Sequence, residues 1–501
     1  MNGERESLAA VFAKFAAFEQ SHLSLYLCEV SGVRFWHLIR FLVFNNEILP
    51  CFTPMGQAHP DVQMKRQAFN RSSWGTRIKQ FLRSLRLRIS DCLLHNPDFA
   101  IRKRKVLFSL IPRVTRLADG RAVRIVLDFF LRNLRSSFAV LERGDAVVHG
   151  GIGRVFRPHP VQRALRRFRR SSAAVRVAEE SGLAAARLAQ EISNAFGIAV
   201  DADKIARRIE SAVSFELSAK PVFCRWLRRL GVQCVVTVVH YGTPNMVLTR
   251  AAREMGIPVA ELQHGTIVPA HAAYNLPTAD SPYSPDYLLA WGDFWAEQAR
   301  NFPAKAAIAV GYPYLEQFLA ETEDHTSPRR SRCVVLYVSQ GTVGNELAAS
   351  AAGIRKRLPE EGFSIKFKLH PNEVKSWRTL YPELEGSGVE VIDDPLRSIY
   401  SLYDDTDVSV GAYSTALIEG FMWGVPAYVL RPLYGADIME PFRSTGLLRY
   451  VRDTDELAER LLGGEWKSVR LNGCRESLWR KGAADAIART IDKIAETGGI
   501  E

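Results

Sequence analysis

Short apolar runs rich in β-branched residues alternate with helix-like stretches in the part of the chain that follows Val232. The polar segment 321–332 interrupts this alternation and separates two sets of runs. The runs occupy 234–240, 258–263, 286–292, 306–313, 333–341, 364–371, 389–394, 407–414 and 426–432. Strands separated by single helices form right-handed βαβ units in a parallel sheet. The pattern therefore predicts an α/β fold with two Rossmann-like domains that face one another.

The part of the chain before Val232 has a different pattern. Residues 1–60 read as helices rich in aromatic side chains, and 77–94 spaces its apolar residues by three and four, as an amphipathic helix does. Apolar runs predict strands at 106–111 and 138–141, followed by a long helical region that reaches about Leu230.

These changes of pattern predict three regions. They are an N-terminal helical and basic region, a first Rossmann-like domain and a second Rossmann-like domain, at 1–100, 101–325 and 326–501. The segment from 476 to about 496 reads as a helix, and we expect it to return from the second domain across the cleft to the first.

The positive charge of the chain is concentrated in one segment. The 501 residues carry a formal net charge of +12, while 61–135 alone holds 18 Lys and Arg against 5 Asp and Glu. On the predicted helix 77–94, basic residues flank the apolar stripe: Arg77, Lys79, Arg83, Arg86 and Arg88. Such a helix suits contact with an anionic membrane surface. The alternative is a solvated face of a helix that packs on the first domain.

Composition excludes several protein classes. Hydrophobic residues make up 47% and charged residues 24% of the chain, which excludes a collagen-like or wholly disordered protein. The 7 cysteines are scattered singly without a CxxC pair, which favours reduced thiols in the cytosol over a zinc site. The first residues lack the apolar core of a signal peptide, and no uncharged apolar run reaches bilayer-spanning length. We therefore expect neither export nor a membrane span.

A histidine follows the apolar run 258–263. Gln263, His264, Gly265 and Thr266 stand at this strand end, and active sites of open parallel sheets lie beyond the carboxyl ends of the strands. The imidazole of His264 could act as a general base or bind an anionic group. Its neighbours Gln263, Gly265 and Thr266 are candidates for contact with the molecule that gives up the proton, the acceptor of a transfer reaction. The alternative is a histidine that caps a turn.

The first run of the second domain ends in small and polar residues. Gln340, Gly341 and Thr342 follow it, and Gly344 opens the next helix. Small residues here allow backbone N–H groups to approach a phosphate at a helix N-terminus. The segment contains neither GxGxxG nor the Walker lysine, which argues against an ordinary dinucleotide or ATP site. It is also compatible with a tight turn.

Two further strand ends carry polar residues. His370 and Pro371 end one run, where the proline stops the strand and fixes the histidine at the edge of the sheet. Ser414 and Thr415 end another and can either cap the following helix or bind phosphate. Glu419 lies one turn later, where it could accept hydrogen bonds from ribose hydroxyls.

The ordered motifs LQHG, LHP and YSTALIEG, followed by GVP, resemble those of GT-B glycosyltransferases of bacterial capsule and lipopolysaccharide biosynthesis. The resemblance covers roughly residues 232–440. It is strongest to enzymes with cytidine-nucleotide donors: sialyl- and polysialyltransferases, capsule Kdo transferases and CDP-glycerol glycerophosphotransferases. It implies that His370, Pro371, Ser414 and Thr415 hold the donor and that His264 is the base. It also implies a nucleotide-sugar donor domain at 326–501 and an acceptor domain at 101–325.

One feature departs from the sialyltransferase pattern. Those enzymes carry an acidic-acidic-Gly base motif in the first domain, whereas the matching Glu360-Glu361-Gly362 stands directly before the run 364–371. A helix that ends at Gly362 and turns into a strand explains this segment better. The departure weakens the sialic acid interpretation in particular.

We therefore expect a cytoplasmic, metal-independent glycosyltransferase, peripheral on the inner face of the cell membrane. It would transfer a sugar or polyol phosphate from a CMP- or CDP-linked donor to a growing polysaccharide or a lipid-linked acceptor, with no cofactor. Fixed N–H groups and His370 would stabilise the negative charge that develops on the leaving phosphate. The alternatives are a nucleotide-sugar 2-epimerase and a basic nucleic-acid-binding protein. The basic segment has few interleaved aromatic residues, which argues against nucleic acid.

Overall fold

The structure is a computed structural model. It describes residues 6–53, 95–111, 114–116, 120–143, 153–278, 281–299, 302, 304–322, 332–395, 397–468 and 474–500. The described residues form two compact units. The first unit comprises 12–51, 95–311 and 482–500, and the second unit comprises 6–11, 52–53 and 312–481.

The first unit is built on a seven-stranded sheet. The sheet consists of β3 (Val106–Leu110), β6 (Phe138–Glu142), β7 (Arg154–Phe156), β8 (Cys234–Thr237), β9 (Val259–Leu262), β10 (Tyr287–Ala290) and β11 (Ala306–Ala309). Two short antiparallel hairpins are formed by β1 (Glu29–Val30) with β2 (Val33–Arg34) and by β4 (Val114–Arg116) with β5 (Ala122–Arg124). The sheet order is β11-β10-β9-β8-β3-β6-β7, and all of its pairs are parallel. The chain therefore reverses its direction of travel across the sheet between β3 and β8.

The second unit is built on a six-stranded parallel sheet. Its strands are β12 (Cys333–Val338), β13 (Phe363–Lys368), β14 (Glu390–Ile392), β15 (Val408–Gly411), β16 (Ala427–Leu430) and β17 (Leu448–Val451). The order β14-β13-β12-β15-β16-β17 is the 3-2-1-4-5-6 order of a Rossmann sheet, and the first sheet contains the same order. The predicted α/β class with two Rossmann-like sheets is confirmed.

Helices flank both sheets. The α-helices in the described residues are α1 (Leu8–Ser21), α2 (Phe35–Val43), α3 (Leu49–Phe52), α4 (His159–Phe168), α5 (Ser172–Phe196), α6 (Ala202–Leu230), α7 (Thr243–Glu254), α8 (Asp293–Gln298), α9 (Pro313–Thr322), α10 (Gly344–Arg357), α11 (Trp377–Leu380), α12 (Ile399–Tyr403), α13 (Thr415–Glu419), α14 (Thr454–Leu462), α15 (Cys474–Leu478) and α16 (Ala483–Thr497). The long helix α6 begins where the Asp201 carboxylate accepts a hydrogen bond from Lys204 N and ends at Gly231, whose φ of 65° stops the helix. No helix in these ranges is long and apolar enough to cross a membrane.

The C-terminal helix belongs to the first unit. Ile487, Ile491 and Ile494 of α16 are buried in the same core as the strands β3, β6 and β8. The Asp492 carboxylate, 5% exposed, accepts hydrogen bonds from the backbone N–H groups of 135 and 136 at 3.0 and 2.9 Å. The two units divide at 311/312 and 481/482, and apolar packing carries 482–500 onto the first sheet.

Candidate functional site

In the first unit, the predicted histidine follows the central strand β9. Gln263 is buried, and its amide joins two strand ends: Nε2 donates to Gly265 O at 2.9 Å, and Oε1 accepts from Trp291 N at 2.8 Å. This amide therefore braces the turn. Gly265 and Thr266 lie half-buried beside His264, whose side chain is 10% exposed.

A buried carboxylate lies behind His264. Glu261, on β9, is fully buried, and its Oε1 is 3.7 Å from His264 Nδ1. The other ring nitrogen, Nε2, is 3.3 Å from the Tyr241 hydroxyl. The carboxylate favours a proton on Nδ1 through its charge, so that Nε2 is the acceptor nitrogen of the ring, with the Tyr241 hydroxyl as its donor. The pair is therefore arranged as a general base with an orienting carboxylate.

A second imidazole shares this carboxylate. His240 Nδ1 contacts Glu261 Oε2, and His240 Nε2 lies 3.2 Å from Ala273 O. The Tyr274 hydroxyl donates to Glu261 Oε1 at 2.9 Å. Burial alone would raise the pKa of Glu261, but the facing imidazoles of His240 and His264 and the Tyr274 hydroxyl outweigh it and hold that pKa below its usual value. Glu261 is therefore ionised in the folded protein at neutral pH.

A strained turn carries His240 and Tyr241. Val239, at the end of β8, has a φ of 61°, a conformation that β-branched residues rarely adopt. The Asn245 side chain holds this turn by donating to Val238 O and Val239 O at 2.8 and 2.9 Å. Ser109 on β3 donates to the same amide at 2.8 Å, across the point where the sheet order reverses. Strain that the surroundings enforce in this way is typical of functional sites.

The N-terminal helices support the loop that covers this site. Arg40 on α2 is 3% exposed and pairs with Glu19, which is 1% exposed. The same guanidinium donates to the carbonyls of Ala272 and, at 3.2 Å, Asn275. A buried ion pair thus fixes the loop after β9 from the side of the N-terminal segment.

Phe41, on the same helix, packs against two rings of the site. Its ring centroid is 4.6 Å from that of Tyr241 and 5.8 Å from that of His271, to which it lies nearly parallel. Burial lowers the pKa of His271 to about 3, with the neighbouring His264 and His240 acting in the same direction. His271 is therefore neutral, and it shapes the site without adding charge.

In the second unit, the loops after the two central strands are hydrogen-bonded to each other. Tyr413 N, after β15, donates to Gln340 Oε1, after β12, at 2.9 Å, and the hydroxyls of Thr342 and Tyr413 are in contact. The sheet order reverses between β12 and β15. Ligands of open parallel sheets bind in the crevice at such a reversal. Two motifs that were predicted separately therefore belong to one place.

The loop of Gly341 leads into α10, and no side chain caps this helix at Val343. The N–H groups of its first turn are therefore available to a phosphate or to water. Gly344 has a packing reason as well, since a Cβ there would overlap the Tyr381 hydroxyl.

His370 is exposed, and the backbone holds it. Its Nδ1 accepts a hydrogen bond from Asn372 N at 3.3 Å, which leaves the proton of the neutral ring on Nε2. Its own N–H donates to Glu373 Oε2 at 2.8 Å, and Glu373 is fully buried. Pro371, also exposed, follows in the turn. The ring therefore offers an N–H donor at the edge of the sheet.

Of the last predicted group, Ser414 caps α13. Its Oγ accepts from Ala416 N at 3.3 Å, and it and Thr415 are half-buried. Glu419 is 8% exposed and hydrogen-bonded to Tyr400, whose pKa rises through burial and the nearby carboxylate. The structure thus turns Glu419 toward an interior tyrosine, which differs from the exposed ribose partner expected from the sequence.

The other predicted segments are located as follows. Glu360-Glu361-Gly362 forms the turn between α10 and β13, where Gly362 N donates to Pro359 O at 3.2 Å. The basic residues expected at a membrane lie outside the described residues: Arg77, Lys79, Arg83, Arg86 and Arg88. In the described ranges, no group of three or more His, Cys, Asp and Glu side chains is arranged to hold a metal ion.

Three residues of the first site were not predicted from the sequence: His240, Tyr241 and Glu261. Glu261 interrupts an otherwise apolar strand three residues before His264, and a charged residue in a buried parallel strand is a usable signal. His240 and Tyr241 directly follow the run at β8, at the strand end where the other predicted groups were sought.

Comparisons with known proteins give structural likenesses only. No protein-family description matches the sequence, and no curated protein is similar to it. Among solved structures, it is similar to the UDP-GlcNAc 2-epimerase of Methanocaldococcus jannaschii, with 10% identity, 77% of this chain and 98% of that chain covered, and a TM-score of 0.42. It is also similar to MurG of Acinetobacter baumannii, with 13% identity, 78% of this chain and 99% of that chain covered, and a TM-score of 0.42. A third similar structure is the glycotransferase of kitacinnamycin, with 14% identity, 78% of this chain and 99% of that chain covered, and a TM-score of 0.44. Likenesses of this degree do not assign an activity to the chain.

Proposed function

We propose that the protein is a GT-B glycosyltransferase that transfers a sugar or polyol phosphate from a cytidine-nucleotide donor to an acceptor hydroxyl. The acceptor is a growing surface polysaccharide or a lipid-linked saccharide. The second unit binds the donor, and the first unit supplies the base. The three motifs that resemble cytidine-donor enzymes support the choice of donor.

The observation that carries the proposal is the pair Glu261–His264 at the carboxyl edge of the first sheet. A fully buried carboxylate 3.7 Å from Nδ1 favours the tautomer in which Nε2 is the acceptor, and the ring remains 10% exposed. A histidine that only capped a turn would need no such carboxylate. Proton abstraction from a hydroxyl is the chemistry that this arrangement supports.

The proposed donor side offers hydrogen-bond donors. N–H groups at the start of α10 and the Nε2–H of His370 lie at the carboxyl edge of the second sheet. A nucleotide phosphate gains negative charge as the bond to the sugar breaks, and fixed donors stabilise that charge. This division between a base and a set of donors fits a transfer in which a phosphate leaves.

In the proposed reaction, the acceptor hydroxyl gives its proton to Nε2 of His264. The oxygen then forms a bond to the anomeric carbon of the donor, and the bond from that carbon to the phosphate oxygen breaks. Its electron pair stays on the phosphate, held by His370 and the N–H groups. For a polyol phosphate donor, the oxygen attacks phosphorus and the nucleoside monophosphate leaves. Glu261 stabilises the imidazolium that forms.

The deciding experiment is a thermal unfolding series with CMP, CDP, UDP and GDP. A ligand that binds the folded state raises the unfolding temperature by an amount that grows with the logarithm of its concentration divided by its dissociation constant. We expect CMP or CDP to give the largest shift, and equal shifts or none would contradict the cytidine donor. A UDP-sugar incubated without acceptor separates the alternatives, because a 2-epimerase would interconvert it whereas a transferase would leave it intact or hydrolyse it slowly.

A further inference from the structure

A cavity of about 430 Å³ lies in the first unit, beside the elements that carry Phe41 and Tyr241. Its walls come from three helices, α2, α6 and α7. Thr243 and Pro244 at the start of α7 line it and come two and three residues after Tyr241 in the chain. On α2, Leu38 and Leu42 line the cavity, while Phe41 between them packs against Tyr241. The cavity and the site therefore share two elements.

The floor of this cavity is apolar and its rim is basic. Leu38, Leu42, Phe215 and Pro244 contribute apolar surface, and Leu42 is 37% exposed. The cationic side chains are Lys204, Arg207 and Arg208, all on α6.

The charge of the rim is only partly balanced. Glu47, 7% exposed, accepts from Arg208 Nη2 at 2.6 Å and lies 3.6 Å from Lys204 Nζ. Arg207 is exposed, and no carboxylate in the described part of the chain pairs with it. One carboxylate against three cations leaves the rim positive, with Arg207 as the group that can bind an anion. A guanidinium offers a planar fork of donors to a phosphate.

We propose that this cavity binds the anionic lipid anchor of the acceptor, with a phosphate on Arg207 and the first part of an apolar chain on Leu42 and Phe215. The proposal rests on the proposed glycosyl transfer, because it assigns the acceptor of that reaction. A purely anionic ligand would leave the apolar floor uncovered, and a neutral lipid would leave Arg207 without a partner. The occupant is therefore an amphiphile that carries both groups.

Titration calorimetry on the full chain tests this with three probes: dodecyl phosphate, inorganic phosphate and dodecyl maltoside. We expect dodecyl phosphate to bind saturably at one site and the other two at least about tenfold more weakly, because each engages only one surface. Arg207→Gln should weaken the binding of dodecyl phosphate by about tenfold, and Leu42→Ser should weaken it by about fivefold. Arg176→Gln, an exposed change on α5, is the matched control and should bind as the wild type does.

Two results would overturn the inference. One is an affinity for dodecyl phosphate that Arg207→Gln and Leu42→Ser leave unchanged while thermal unfolding confirms that both variants fold. The other is binding to phosphatidylglycerol vesicles by wild type and both variants alike with no binding of dodecyl phosphate, which would assign lipid contact to a membrane surface elsewhere. If both variants weaken dodecyl phosphate binding but the wild-type protein has no transferase activity, the lipid-binding role of the cavity stands and the proposed reaction is rejected.

Discussion

His264 and His370 both follow inner strands of their sheets, β9 and β13, but their surroundings differ. His264 is 10% exposed and lies 3.7 Å from a fully buried carboxylate. His370 is exposed, and a backbone N–H occupies its Nδ1. A carboxylate stabilises the imidazolium, so it prepares a ring to accept a proton, whereas a backbone amide fixes the neutral ring as an N–H donor. The partner of the ring, more than its place in the fold, decides which chemistry it can perform.

The largest effect that would test this contrast is on turnover. His264→Ala removes the proposed base, and we expect turnover to fall by about 10³-fold while nucleotide affinity stays unchanged. Transferase assays and calorimetry with the nucleotide measure the two separately. Full activity in this variant would remove His264 from the reaction.

A second test compares two fully buried carboxylates. Glu261→Gln breaks the pairing with His240 and should cost about 3 kcal/mol of unfolding free energy in urea titrations. Glu373→Gln is the matched control in the second unit, since an amide oxygen can still accept from His370 N, and should cost about 1 kcal/mol. Equal losses of unfolding free energy in the two variants would contradict a special role for the pairing of Glu261 with an imidazole.

Glu261 also has a kinetic signature. As a positioning residue, its replacement by Gln should move the acidic limb of the pH–rate profile to lower pH, because the imidazolium of His264 loses its negative neighbour. A merely structural role would lower activity at every pH without moving that limb.

Acidification should affect the first unit specifically. Burial lowers the pKa of His37 and His271 to about 3, and the nearby Arg40 adds to the effect at His37. Both rings bind a proton more readily when unfolded, so the unfolding free energy falls as pH drops from about 6.5 toward 3, by about 1.4 kcal/mol per pH unit for each ring. Hydrogen exchange at pH 7.0 and 5.5 should register this loss in the first unit, and His37→Phe should reduce it by about half. An unchanged pH slope in His37→Phe would reject the assignment for that ring.

On the donor side we expect a smaller effect. His370→Ala removes one of the N–H groups proposed to donate to the nucleotide phosphate, and it should weaken nucleotide binding by about tenfold, measured by calorimetry. His264→Ala is the reciprocal control, because it should leave this affinity intact. Unchanged affinity in His370→Ala would separate this ring from the donor.

The smallest effect separates two roles of Ser414. Ser414→Ala removes the cap of α13 and should cost about 1 kcal/mol, whereas Ser414→Gly should cost only a few tenths. If the hydroxyl also binds phosphate, both variants should weaken nucleotide binding by the same factor, about threefold. If both variants bind the nucleotide with wild-type affinity, Ser414 only caps α13 and does not bind phosphate.

The sequence predicts the strands and their parallel arrangement well, since buried parallel strands are nearly uniform apolar runs. Short, half-exposed or hairpin strands such as β7 and β4 lack that signal, and their pairing comes from tertiary contact. An amphipathic pattern likewise predicts α16, but the expected return of this helix to the first domain does not come from that pattern, because an apolar face does not specify the core that it joins.

The site was predictable in part for a similar physical reason. Strand ends indicate where ligands bind, and this located His264, Gln340, His370 and Ser414. Which side chain lies behind each of them depends on register and on neighbouring strands. The sequence therefore does not reveal that Glu261 faces two imidazoles or that Glu419 points to Tyr400.

The docking of α16 on the first sheet has a consequence for synthesis of the chain. The first unit lacks Ile487, Ile491 and Ile494 from its core until the last helix has left the ribosome. The 170 residues of 312–481 emerge before that helix, which at ordinary translation rates takes roughly 10–30 s. During that interval the second sheet can fold, while part of the apolar face of β3 and β8 stays uncovered. The nascent chain is therefore a candidate client for chaperones at this stage.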